Sequence, residues 1–139
     1  MKNNFTGAKL AYILNHQLLV YKRDNIPHIP FPDMWDFPGG AREGDESPED
    51  CVLRELHEEF GLLLDATRLV YKEYGANYNN TGFSYFFVAE GSTAEIARIQ
   101  FGSEGQCWQL MGIDEFLAHP MASPVLKPRL QQYLLLQRP

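Results

Sequence analysis

Basic residues are few in this chain. Its 12 lysines and arginines are outnumbered by 18 aspartates and glutamates, and the formal net charge is −6 at pH 7. Non-specific binding to a nucleic-acid backbone needs a basic surface, so this balance argues against it. Cysteine is scarcer still. Cys51 and Cys107 stand alone, outside any CxxC pair, and His16, His28, His57 and His119 show no zinc spacing. Two cysteines allow one disulfide, but two packed thiols in a reducing cytoplasm are the expectation. Long apolar runs are missing too. The stretch MKNNFTGAKLAYILNHQ has too short an apolar run for a signal peptide or a membrane span. With no secretory signal expected, the glycosylation patterns Asn4-Phe5-Thr6 and Asn79-Asn80-Thr81 read as accidental. No internal repeat and no low-complexity tract is visible.

What is present suffices for a core. Of 139 residues, 45% are apolar and 13% aromatic, which fits one domain over residues 1–139. Residues 9–14 and 18–22 are short β-favouring runs separated by Asn15-His16-Gln17, the pattern of a hairpin. Residues 24–34, DNIPHIPFPDM, hold three prolines and predict an irregular surface loop facing substrate. A helix with clear ends follows. Ser47 suits its N-cap, Pro48 its first position and Gly61 its left-handed stop. Asp50 makes a weak variant of the capping box, and Glu49 and Asp50 favour the positive helix end. Val52, Leu53, Leu56 and Phe60 gather on one side and predict its core face.

Residues 67–74 and 83–89 read as strands joined by the polar tip 77–82, and residues 106–111 as another strand. Residues 113–118 read as a short helix, and residues 127–136 as a last helix with Pro128 in its first turn. Strands on both sides of a central helix predict the α/β class, a mixed central sheet packed between helices.

The central helix carries Glu55, Glu58 and Glu59 at i, i+3 and i+4, within an arc of about 100°. Like charges so spaced cost a helix ~0.2–0.5 kcal/mol per pair. The apolar face lies beside them, so they sit at the edge of the core. Taken alone, such a cluster reads as a solvated acidic face screened by Arg54. A hard divalent cation turns the repulsion into attraction, because Mg²⁺ and Mn²⁺ prefer oxygen ligands.

The cluster belongs to a longer pattern: Gly40, five residues, Glu46, seven residues, then Arg54-Glu55-Leu56-His57-Glu58-Glu59-Phe60-Gly61-Leu62. This resembles the Nudix box at every fixed position, and the preceding Trp35-Asp36-Phe37-Pro38-Gly39 looks like the MutT-type branch of that family. The resemblance implies a Nudix-type α/β/α sandwich and Mg²⁺- or Mn²⁺-dependent hydrolysis of a nucleoside diphosphate linked to another group. It implies Glu55, Glu58 and Glu59 as metal ligands, with the Gly39 carbonyl, and Glu46 joining directly or through water. It implies Arg54 as the residue that holds the glutamates by an ion pair. Relatives take their general base from a box glutamate or from a later loop, and Glu104 stands in such a loop or is an ordinary solvated carboxylate.

Three further residues follow from the resemblance as substrate contacts. Arg23 ends the second strand, where an arginine of MutT-like members contacts phosphate; its other reading is a strand-end cap. Phe37 touches a base or anchors the turn, core packing being the plainer role. Ser123, in Met121-Ala122-Ser123-Pro124-Val125, stands nearest to an asparagine that MutT uses for an oxidised guanine. A serine lacks the paired donor and acceptor of a carboxamide. His57 reads as solvent-facing, and Gly39 and Gly40 as a turn that brings backbone close to metal or phosphate. Gly40 is expected to need positive φ.

The resulting expectation is a cytoplasmic pyrophosphohydrolase cleaving a nucleoside triphosphate, with a small nucleotide as its partner and no nucleic acid or membrane. Its oligomeric state is left open, a homodimer included. The alternatives are nucleotide sugars, ADP-ribose or dinucleoside polyphosphates as substrates, or a nucleotide-sensing module without turnover. Residues 24–34, 75–82 and 119–127 are where substrate choice is expected.

Overall fold

The computed structural model describes residues 4–137; the two ends of the expected 1–139 domain lie outside the described residues. The elements run β1 (Gly7–Leu14), β2 (Gln17–Lys22), β3 (Trp35–Asp36), β4 (Gly39–Ala41), α1 (Pro48–Phe60), β5 (Leu69–Ala76), β6 (Phe83–Glu90), α2 (Thr93–Ala97), β7 (Cys107–Gly112), α3 (Ile113–Ala118) and α4 (Leu126–Leu136). The strands form one mixed sheet in the order β3-β2-β1-β6-β5, with β4 paired to β1 and β7 to β2. Only β1 and β6 are parallel among these pairs.

The alternation of side chains along the strands divides the core into two layers. Leu10, Tyr12, Leu19, Tyr21, Tyr85 and Phe87 point to the face covered by α1, where they meet Val52, Leu56 and Phe60. Their neighbours Ala11, Leu18, Val20, Phe86 and Val88 point to the opposite face, beneath α3 and α4, where they meet Phe116, Leu126 and Leu130. The predicted sandwich is therefore present. Leu56, Phe60, Phe86 and Phe116 are fully buried, and each such side chain is worth about 1.5–3 kcal/mol of hydrophobic stabilisation.

The hairpin of β1 and β2 pairs only at its closed end, Ile13 with Leu18 and Leu14 with Gln17. At its other end β1 turns to β4, with Lys9 opposite Gly39 and Ala8 opposite Gly40. The strand thus carries the glycine turn on its own edge. Helix α1 has the expected ends: the Ser47 side chain accepts from the Asp50 amide, and Gly61 is left-handed at φ 69°. It lies over β1 and β4 and carries its acidic face to the turn.

Several local expectations are corrected. Thr67 belongs to a 3-10 turn, Ala66–Arg68, because the Asp65 side chain accepts from both its amide and its hydroxyl; β5 starts at Leu69. Helix α2 was absent from the sequence reading. Ser92 caps it by accepting from the Glu95 amide, so the serine and glutamate three apart were its signal. Strands β3 and β4 have two and three residues, too few for a period to show. Cys51 is buried and Cys107 exposed, and both are free thiols. Among the described residues, no helix is long and apolar enough to cross a membrane.

Candidate active site

A cavity of about 630 Å³ opens where β1, β4 and α1 meet, bounded also by the 24–34 loop, the β5–β6 loop and the start of α4. Its acidic end is made by Gly39, Gly40, Glu55, Glu59 and Glu104. The glycine turn fits the helix closely. Gly39 has φ 135°, a conformation open to glycine, and a Cβ there would run into the Ala8 carbonyl. Gly40 has no positive φ, contrary to the sequence expectation. Its constraint is space: a Cβ on Gly40 would overlap the Glu55 carboxylate.

The three glutamates have different surroundings. Glu59 is 9% exposed and its Oε1 accepts from the Gly39 amide at 2.9 Å. Burial pushes its carboxyl up to about 8, while Lys9 and the Gly39 amide pull the other way and Glu55 adds repulsion. Glu55 is also held above the usual carboxylate range, first by burial, against the pull of Arg54 and with added repulsion from Glu58 and Glu104. Glu58 has a 53% exposed side chain and pairs with Arg54 Nη1 at 3.2 Å. It is not among the cavity walls.

Arg54 joins much of the box together. Its Nε donates to Glu46 at 2.6 Å, its Nη2 to Glu46 at 3.1 Å and to the Ala41 carbonyl at 2.9 Å, and Nη1 reaches Glu55 at 3.8 Å. The bond to Glu46 comes first among the causes that raise its pKa. The same pair holds Glu46 below the usual carboxylate range. Glu46 therefore faces Arg54 and the Glu43 amide, and it does not line the cavity.

A second charged group was missed in the sequence. Asp36, 4% exposed, accepts from Lys9 at 2.8 Å and from Arg23 Nη1 at 3.0 Å, and its other oxygen accepts from the Phe37 amide. Burial works against the charge on Lys9, yet Asp36, Tyr21 and Glu59 outweigh it and hold the amine above its ordinary pKa. Lys9 also donates to the Phe37 carbonyl at 3.2 Å and, more weakly, to the Gly39 carbonyl at 3.4 Å. Its signal was available: one lysine in an otherwise apolar strand.

Arg23 lines the cavity, its Nε bound to the Pro30 carbonyl, so it both faces the site and ties down the proline loop. Glu104 sits on a loop fastened at both ends, by the Gly102 amide to the Glu59 carbonyl and by the Gln106 amide to the Lys22 carbonyl. Ser123 lines the cavity wall at 4% exposure. Phe37 does not reach it. Its ring is fully buried, 4.8 Å from Phe116 and 6.3 Å from Phe86, which agrees with core packing, the plainer of its expected roles, and not with a contact to a base.

The candidate donors are all oxygens, Glu55, Glu59 and the Gly39 carbonyl at the acidic end and Glu58 beside them on α1 but outside the cavity wall, and the absent Gly40 side chain leaves room for the Glu55 carboxylate. That set suits a hard divalent cation. Among the described residues no three acidic, histidine or cysteine side chains already form a metal cage, since Glu58 turns to Arg54 and Glu59 to the Gly39 amide.

Comparison with known proteins agrees with this geometry. A family profile described as NUDIX domain matches residues 5–133. An 8-oxo-dGTP diphosphatase of Haemophilus influenzae is 31% identical over 87 residues, 63% of this chain and 61% of the relative. An RNA pyrophosphohydrolase of Hahella chejuensis is 50% identical over 38 residues, 27% of this chain and 24% of the relative. The match thus spans about a quarter of the latter's length and under two thirds of the former's. Among solved structures, the MutT protein of Methanosarcina mazei superposes with TM-score 0.74 at 14% identity, covering 100% of this chain and 99% of its own.

Proposed function

The chain belongs to the NUDIX domain family, and from that premise we propose that it is a pyrophosphohydrolase that cleaves a nucleoside triphosphate to a monophosphate and pyrophosphate. The observation that carries this reading is the junction of Gly39, Gly40, Glu55 and Glu59 at one end of a cavity whose other walls offer arginines, serines and aromatic rings. The names of the two curated relatives, both of which cut phosphoric anhydrides, support the same class.

Glu55, Glu58, Glu59 and the Gly39 carbonyl are the groups that would hold Mg²⁺ or Mn²⁺. When bound, such an ion neutralises phosphate charge, polarises phosphoryl oxygens and eases deprotonation of water. The chain's own residues do the rest. Arg23 and Lys9, both anchored on Asp36, line the same cavity and offer positive charge to the phosphates. Glu104 lines the cavity and makes no ion pair with a described residue, so it is free to accept the proton of the attacking water. Water adds to phosphorus, the P–O bond to the leaving pyrophosphate breaks, and the proton passes to the carboxylate. Arg54 orients Glu58 and Glu55 and does not touch substrate.

The test is phosphate release from a panel of nucleotides with Mg²⁺, with and without added inorganic pyrophosphatase. Phosphate that appears from a triphosphate only with pyrophosphatase is the expected result. Release from ADP-ribose or nucleotide sugars alone would move the substrate to that class. Binding without any release would make the chain a sensor.

A further inference from the structure

Lys9 lines the cavity on the strand that pairs with the glycine turn, opposite Gly39. Its side chain is 23% exposed. An ammonium carries three N–H donors. The oxygens around this one are Asp36 Oδ2 at 2.8 Å and the Phe37 and Gly39 carbonyls at 3.2 and 3.4 Å. The last of these is also a candidate metal donor. Asp36 accepts from Arg23 as well, at 3.0 Å. Two cations thus share one carboxylate, and one positive charge is left over beside the acidic end.

That charge reaches the glutamates. Burial comes first at Glu59 and Glu55 and raises both carboxyls; Lys9, with Arg54 acting ahead of it at Glu55, pulls them back. Arg54 also pairs with Glu58 at 3.2 Å. The carboxylates therefore have counter-charges of their own. Lys9 is attracted to the glutamates and repelled by a divalent ion among them, so it favours the metal-free form. The sign is the same if Glu59 holds a proton, because the ion still repels the ammonium. A triphosphate reverses the balance, since its negative charge attracts both Lys9 and the ion. Metal and nucleotide then strengthen each other's binding, and such coupling is reciprocal.

We propose that Lys9 makes the site discriminate against a bare divalent cation and take the cation together with a polyphosphate, as one metal–nucleotide ligand. This rests on the reading that the glutamates hold a cation. Lys9 acts here through its charge, since its N–H donors already have protein oxygens as partners.

The test is binding of Mn²⁺ alone, read from the electron paramagnetic resonance signal of the free ion, to wild type and Lys9→Met at one pH. The variant keeps the stem, loses the charge and leaves Asp36 paired with Arg23 and the Phe37 amide. Its Mn²⁺ affinity is expected to rise by roughly tenfold or more. Its calorimetric affinity for a triphosphate bridged by methylene between the α and β phosphorus, in saturating Mn²⁺, is expected to fall by roughly the same factor. Opposite shifts are the signature, because damage to the site would weaken both. Lys72→Met removes the same charge from β5, where Lys72 pairs with Glu49 at 2.8 Å, and is expected to move neither. Lys9→Gln keeps a donor for Asp36, is expected to repeat the Lys9→Met result, and carries the test if the methionine variant does not fold. No turnover is read. Equal or weaker Mn²⁺ binding in the folded Lys9 variants, or an equal gain in Lys72→Met, overturns the proposal and leaves the hydrolase reading standing. Mn²⁺ bound by none of these proteins overturns it together with the metal assignment.

Discussion

The carboxylate of Glu55 occupies the space in which a side chain on Gly40 would begin. This relationship, and not a left-handed turn, explains a glycine at position 40. It joins the turn to the helix at the point where the cavity is most acidic.

Gly40→Ala is therefore expected to displace Glu55 and to lower turnover by roughly a hundredfold, the scale of a 1 Å misplacement. The fold should persist, because the clash is with the end of a side chain. Steady-state kinetics beside a melting curve check this. Unchanged kinetics in the variant would remove the spatial argument.

Glu59 gives a pH prediction. Its carboxyl has a folded pKa of about 8 against an ordinary 4.5. Between those values the folded chain keeps a proton that the unfolded chain has lost, so this group makes stability fall as pH rises through the window. A divalent cation needs the deprotonated form, and its binding should displace that proton. Calorimetric titration of Mn²⁺ near pH 7, in two buffers of different ionisation heat, is expected to show proton release that fades above about pH 9. Equal apparent heats in both buffers would show that Glu59 is already ionised or takes no part.

Away from the cavity, Glu95 accepts from Arg68 at 2.7 Å and from the Tyr12 hydroxyl at 2.6 Å. Arg68 first, then Tyr12, hold its carboxyl down to about 2 although burial opposes them. A depressed folded pKa contributes stability that is complete above the ordinary 4.5 and is lost as pH falls toward 2. Glu95→Gln should cost about 1–2 kcal/mol at pH 7, allowing for solvent around part-exposed Arg68, and its penalty should shrink in acid. Urea unfolding at pH 7 and pH 3 measures both. A penalty independent of pH would mean that the ion pair contributes little.

Much of this site was legible because its parts lie close in sequence. The caps Ser47 and Gly61 bound α1, and the spacing of Glu55, Glu58 and Glu59 put them on one helical face. What was not legible depends on contacts across the chain. Asp36 holds Lys9, 27 residues away, and Arg129 holds Glu73, 56 residues away, and no local period marks such pairs. Phe37 follows the same rule. Its core packing was expected, but its place in a box-adjacent motif did not name Phe86 and Phe116 as the rings that cover it. Glu46 stands at a box position, but which way its carboxylate turns was decided by Arg54.

The central claim is that the glutamate face of α1 carries the chemistry. The most direct measurement is turnover of the best triphosphate substrate by Glu58→Gln at saturating Mg²⁺, with the melting temperature taken alongside. The Glu58 side chain is half exposed and pairs with Arg54 at the surface, so an amide of the same size should leave the fold unchanged. The account predicts a loss of about a hundredfold or more in turnover at an unaltered melting temperature. Turnover equal to wild type would contradict it and return the acidic face to the role of solvated surface.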